Sequence, residues 1–190
     1  MRRRIPAILG TAAAVLVGLP VAFVVFAFFT GKAYRIPSSA MEPTLHCARP
    51  GVGCAADQED KVFVWKPLYW FGGPGRGDLV VFKSPTAAEG LCGAAGTFVK
   101  RVIALPGETF EERKGFVYVD GKRLEEPYVK ADRRDTRTEG PTKIPRGRYF
   151  VLGDNRVQSC DSREWGSVPR KSIIGKVFLV YWPLGRFGLR

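Results

Sequence analysis

The chain has 190 residues, 30 Lys and Arg against 18 Asp and Glu, a formal net charge of +12, and 45% hydrophobic residues. That length supports one folded unit with a real core and excludes two ordinary domains. The charge raises nucleic acid as a partner, but its distribution argues against one. Part of the excess sits at the N-terminus, and the longest later cluster, KADRRDTR at 130–137, is interrupted by acids.

Residues 1–4 form a basic start with Arg2, Arg3 and Arg4, and Ile5 to Phe29 is an apolar run without a charge. Such a run over 5–30 predicts a single membrane-spanning helix, which tolerates Pro6 and Pro20. A cleavable leader has an apolar core of about 7 to 15 residues and a small-x-small site after it. Here the run is longer, and FFTGKAYR offers no convincing site, so an uncleaved anchor is expected. The positive-inside rule keeps the arginines in the cytoplasm and places residues 31–190 on the outer face of the cell membrane. A basic domain tethered there faces anionic lipid headgroups, or simply carries a solvated basic surface.

Beyond the anchor the apolar segments are short and broken by Gly, Pro and Asp: KVFVW, DLVVF, TFVKRVIAL, GFVYVDG, RYFVLG and IIGKVFLVYW. They predict a mainly β domain of antiparallel strands, sheet or barrel-like, with no helix of convincing length. FVYVDGKRL reads as a hairpin turning at Asp120-Gly121. The polar stretch 125–146 reads as a surface loop or small lid. In the terminal VFLVYWPLGRFGLR, the plain reading is a last core strand with a short tail. A sharper one dips Leu184, Phe187 and Leu189 into the membrane interface.

Four cysteines, Cys47, Cys54, Cys92 and Cys160, suit an oxidising compartment. Zinc calls for tighter C-x2-C pairs, which are absent, so no metal or cofactor is expected. Cys47 and Cys54 flank a short Gly and Pro loop and are the first disulfide candidate, leaving Cys92 with Cys160, although three pairings are open.

Chemistry concentrates in three stretches. RIPSSAMEPTLHC holds two serines and then Ala40 between Pro37 and Pro43. Read as a strand, it puts Ile36, Ser38 and Ala40 on one face and Ser39 and Met41 on the other. A hydroxyl at 40 would attack, with Ser38 beside it as a donor to the developing oxyanion, and Ser39 is a poor substitute. The only histidine, His46, lies too near in sequence for a Ser-His-Asp arrangement. Lysine is the alternative base if burial brings its pKa from about 10.4 toward 7 or 8. In TFVKRVIAL, Lys100 shares an apolar strand face with Phe98, Val102 and Ala104, though an ordinary edge-strand lysine is the more common reading of such a stretch. Arg101, on the opposite face, cannot give up its proton. GDNRVQSCDSREWG begins as a tight turn, in which Asp161 and Arg163 can pair and Ser159 can point a hydroxyl at an amine.

Together, PSSAMEPTL, GDLVVFK, FVKRVIALPGE and GDNRVQSCDSREWG, in that order behind an anchor, resemble the type I signal peptidases, membrane-bound Ser/Lys proteases that remove signal peptides from exported proteins. The resemblance runs from about Ile36 to Trp182. It implies a β-rich fold with a groove for small side chains at the first and third positions before the cut, the A-x-A rule. It implies signal peptides as partners, proximity to the secretion translocon, and no cofactor. The family's nucleophile position falls on Ala40 and its general base on Lys100. Ser38 falls on its oxyanion hydroxyl and Ser159 on the serine that orients the lysine. Met41, Asp154, Asp161 and Arg163 fall on supporting positions, the last two as an ion pair. The short segment between LPGE and GDNR argues against a large inserted subdomain.

The departure at Ala40 removes the attacking oxygen. Retention of Lys100, Ser38 and Ser159 favours an introduced Ser→Ala change over a natural pseudopeptidase. A membrane-tethered binding module and a peptidase dedicated to one substrate are the other readings. A self-cleaving Ser/Lys repressor fits poorly with an anchor and four cysteines.

Overall fold

The computed structural model describes residues 16, 18, 19, 22, 26, 30–69 and 72–190. Among these, no helix is long and apolar enough to cross a membrane. The basic start at 1–4 and nearly all of the expected anchor at 5–30 lie outside the described residues.

The described residues form twelve strands in chain order: β1 (Gly31–Arg35), β2 (Lys61–Trp65), β3 (Leu79–Lys83), β4 (Thr97–Ala104), β5 (Thr109–Arg113), β6 (Phe116–Val119), β7 (Lys122–Arg123), β8 (Glu139–Lys143), β9 (Arg148–Leu152), β10 (Val168–Pro169), β11 (Ile173–Trp182) and β12 (Gly188–Leu189). All six apolar segments read from the sequence lie in strands. The main sheet runs β1-β2-β11-β3-β4-β9-β10, with β12 beside β11, and a second sheet runs β7-β6-β5-β8. Every pairing between these strands is antiparallel.

The main sheet is buried on both faces, and β3 shows why its sequence is an unbroken apolar run. Leu79 and Val81 pack with Ile36, Met41, Val62 and Val177, whereas Val80 and Phe82 pack with Val102, Tyr149 and Val151 on the other side. A third cluster joins the two sheets through Ile103, Phe110, Val117, Phe150 and Leu152, with the rings of Phe110 and Phe150 stacked 4.1 Å apart. Each fully buried side chain of this size contributes about 1.5–3 kcal/mol.

Two local devices shape β4 and β6. A register shift between Val102 and Ala104 breaks the alternation of β4 against β9, so Ala104 joins Ile103 in the third cluster rather than following Phe98 and Val102. Asp120 and Gly121 both take positive φ, 48° and 76°, and Val119 pairs with Lys122 across the turn. That is the tight two-residue hairpin expected of Asp-Gly.

The stretch 125–146 is not a free surface loop. It carries β8, paired to β5, and buries Glu126, Val129 and Ile144. The C-terminal tail turns back as β12, leaving Leu184, Phe187 and Leu189 at 72%, 64% and 67% exposure. Arg186 between them folds inward onto Asp60, 2.9 Å away.

Candidate active site

The segment around residue 40 is held at both ends by apolar anchors, Ile36 and Met41, sunk into the first cluster. Between them the chain does not continue as a strand. Ser38 is extended, and Ser39–Met41 form one turn of 3-10 helix, so the strand alternation expected here does not apply. The separation of Ser38 and Ala40 from Ser39 survives for a different reason. The Ser39 hydroxyl turns inward and donates to Gln158 Oε1 at 3.1 Å. Ser38, whose hydroxyl makes no cap hydrogen bond, and Ala40 line a cavity of about 340 Å³.

Lys100 lines the same cavity and is 4% exposed. It pairs with Val80 in the middle of β4, and its Nζ lies 5.9 Å from the centre of the Phe98 ring. The edge-strand reading of this lysine therefore fails, because β4 has β3 on one side and β9 on the other. Burial pushes its ammonium down to about 8, against the opposing pull of Asp161 and Asp154 and with help from Arg163. A lysine neutral near pH 8 inside an apolar wall can accept a proton, which a solvated one cannot do at that pH.

The loop 153–163 is docked against both elements. Asp154 takes a two-pronged contact from Arg101 at 2.8 and 2.6 Å and accepts from Thr44 Oγ1 at 2.5 Å. One carboxylate thus ties β4 to the segment following residue 40. The Asn155 N–H donates to Ala40 O at 3.1 Å and its Nδ2 to Ser39 O at 3.0 Å. Ser159 Oγ is buried and meets no partner at full hydrogen-bond geometry, although its hydroxyl lies close enough to Asp161 to help hold that carboxyl low.

Asp161 and Arg163 pair with each other through two contacts of 2.9 Å. Burial would raise the Asp161 carboxyl, but the Arg163 guanidinium outweighs it and holds the group below its ordinary range. Arg163 also reaches Asp135 at 2.8 Å and Glu112 at 3.5 Å. Glu112 is fully buried, and burial pushes its carboxyl up to about 7, partly offset by Arg163 and Arg156 and reinforced by Asp135 and Asp161. Asp135 and Glu112 lie outside the motif blocks, and Thr44, Arg101 and Gln158 lie within them without a supporting role assigned from the sequence. Glu112 alone had a signal, since alternation in TFEER puts it on the inward face with Phe110.

Close approach explains one glycine. A methyl group on Gly153 would lie 2.2 Å from Ser159 Oγ and 2.4 Å from Ala40 O. The second obstacle is backbone and cannot swing aside. Gly153→Ala is expected to cost about 1–3 kcal/mol, as overpacked sites do, and to lower the melting temperature. A melting temperature within a degree of the unaltered chain would show that the loop yields freely.

Disulfides join Cys47 to Cys54 and Cys92 to Cys160, with Cα atoms 5.1 and 6.0 Å apart. Cys92 ends the short helix Ala87–Cys92, Cys160 follows Ser159, and both line the cavity. His46 is engaged by Glu42 and does not line it. Among the described residues no group of His, Cys, Asp and Glu could hold a metal ion.

Residues 8–182 match the family described as Signal peptidase, peptidase S26. The chain belongs to the signal peptidase family. Relatives include a probable signal peptidase I-2 of Synechocystis, 41% identical over 85% of this chain and 67% of its own length. Signal peptidase I of Leptolyngbya laminosa is 39% identical over 84% and 73%, and signal peptidase I U of Bacillus subtilis 33% identical over 81% and 77%. A crystal structure of signal peptidase I from Enterococcus faecalis, 36% identical, covers 54% of this chain and 95% of its own, with a TM-score of 0.44.

Proposed function

We propose that this chain binds the C-terminal ends of signal peptides in the cavity of Ser38, Ala40 and Lys100, and that with alanine at position 40 it does not cut them. One observation carries the reading most directly. A lysine brought to about pH 8 by burial lines the same cavity as the residue at the family's nucleophile position. The serine form would act by acyl transfer. Neutral Lys100 takes the proton of the hydroxyl at 40 as its oxygen bonds to the scissile carbonyl carbon. The Ser38 hydroxyl donates to the oxyanion, and Lys100 returns the proton to the leaving amine as the C–N bond breaks. Lys100 then draws a proton from the water that attacks the ester carbonyl and passes it to the oxygen at 40 as the acyl C–O bond breaks, and Ser159 and the Asp161–Arg163 pair position the lysine. These steps call on no metal or cofactor.

The signal peptidase reading also supplies the setting. An anchor over 5–30 places the domain on the outer face of the cell membrane, beside the translocon, with the exposed Leu184, Phe187 and Leu189 and neighbouring cations against lipid. Alanine at position 40 gives a second reading some weight, a membrane-tethered module that binds peptides and never cuts.

Binding of labelled peptides to the unaltered chain tests the proposal. A peptide with alanine at the first and third positions before the cut is expected to bind saturably, and one with phenylalanine at the first position to bind at least about 5-fold more weakly, since overfilling a packed pocket costs about 1–3 kcal/mol. Equal affinity for both, or none for either, would overturn it.

A further inference from the structure

The signal peptidase reading leaves unexplained why the Gln158 side chain is held at the cavity wall. Its amide orientation is determined by a chain of hydrogen bonds. Ser39 O can only accept, so the atom of Asn155 that meets it at 3.0 Å is the Nδ2 donor. The same Nδ2 lies 3.0 Å from the Gln158 amide, and the Gln158 atom facing it must therefore be the oxygen. The Ser39 hydroxyl donates to this oxygen from a second direction, at 3.1 Å.

A third element closes over it. Gly53 lies in the loop bounded by the Cys47–Cys54 disulfide, and a methyl group there would fall 1.8 Å from Gln158 Oε1. The oxygen of this otherwise exposed side chain is thus held by a side-chain hydroxyl and a side-chain amide, with the Gly53 backbone close beside it. Clamping the oxygen sends Nε2 the other way. That nitrogen makes no hydrogen bond among the described residues, and Gln158 lines the cavity that also holds Ser38, Ala40 and Lys100.

We infer that Gln158 is a substrate-binding residue whose Nε2 donates to a backbone carbonyl of the bound peptide. A carboxamide held by its oxygen loses little freedom on meeting an acceptor, which is the advantage of preorganisation. The Cys47–Cys54 loop acquires a role in binding through Gly53, although neither of its cysteines lines the cavity. The inference rests on the signal peptidase reading for the identity of the occupant, an extended peptide.

Gln158→Glu separates binding from architecture. The carboxylate still accepts from Ser39 Oγ and Asn155 Nδ2 but has no hydrogen to donate. The expected result is an unchanged melting temperature and a Kd for the A-x-A peptide raised about 5- to 10-fold, the loss of one hydrogen bond. In the Ala40→Ser form KM rises by the same factor, while kcat moves less than about two-fold.

A series of peptides, each with one amide carbonyl replaced by methylene, identifies the partner. At one position the replacement weakens binding to the unaltered chain and has no further effect on Gln158→Glu. If the A-x-A peptide binds normally and Gln158→Glu leaves its Kd within two-fold, or if every replacement costs both proteins alike, Gln158 is not a substrate-binding residue and the signal peptidase reading stands. If the unaltered chain binds no peptide, both fall together.

Discussion

With serine at position 40, Lys100→Met is expected to reduce cleavage of a preprotein to the level of the unaltered chain. A positioned base contributes up to about 10⁴-fold, and a hydroxyl without one is a weak nucleophile at neutral pH. No neighbour can take over. Arg101 is turned to Asp154 on the opposite face of β4, and His46 is held by Glu42 outside the cavity. Methionine matches the apolar surroundings of Lys100 between Phe98 and Val102, so the fold survives the change and the loss belongs to chemistry.

The pH profile carries the same claim in another observable. Burial lowers the Lys100 pKa, so its neutral, working form accumulates as pH rises. The acid limb of kcat/KM, which reports the free protein, should fall near pH 8. A bound peptide excludes water and deepens the desolvation, so the limb of kcat should lie lower still. A limb near 10.4, the value of a solvated lysine, or a profile unmoved by Lys100→Met would place the base elsewhere.

Much of this arrangement is legible in the chain itself because its signals are local. The six core strands announce themselves by β-branched and aromatic runs, and Asp120-Gly121 by the left-handed turn it accommodates. Others fail for physical reasons. β1, GKAYR, is an edge strand with two charged residues in five and little burial, so it lacks an apolar pattern. β8, EGPTK, contains glycine and proline and is a strand only because β5 pairs with it. Tertiary pairing, not propensity, decides such segments.

At the candidate site, the motif blocks point to Lys100, Ser159, Asp161 and Arg163 but say nothing of how they are held. The local geometry at 39–41 defeats the alternation rule, since a single 3-10 turn between Ser38 and Glu42 leaves no periodicity to read. The ion pairs around the candidate site join elements far apart in sequence, Arg101 with Asp154 and Arg163 with both Asp135 and Glu112. Only folding reveals those partners. The orientation of Gln158 is less legible still, because it depends on Asn155, Ser39 and Gly53 acting together.

On the proposed function, the cavity of Ser38, Ala40 and Lys100 lacks one oxygen atom of a working peptidase site. Cleavage of a preprotein with an A-x-A site, by the unaltered chain and by Ala40→Ser side by side in detergent or lipid, tests it most directly. The hydroxyl placed at 40 would share the cavity with Lys100 and Ser38. Removing such a nucleophile from a working site costs about 10⁶-fold in kcat, so restoring it should take the rate from undetectable to readily measured, with the product beginning one residue after the second alanine. Cleavage by the unaltered chain, or a folded Ala40→Ser protein that binds the preprotein and leaves it intact, would contradict the account.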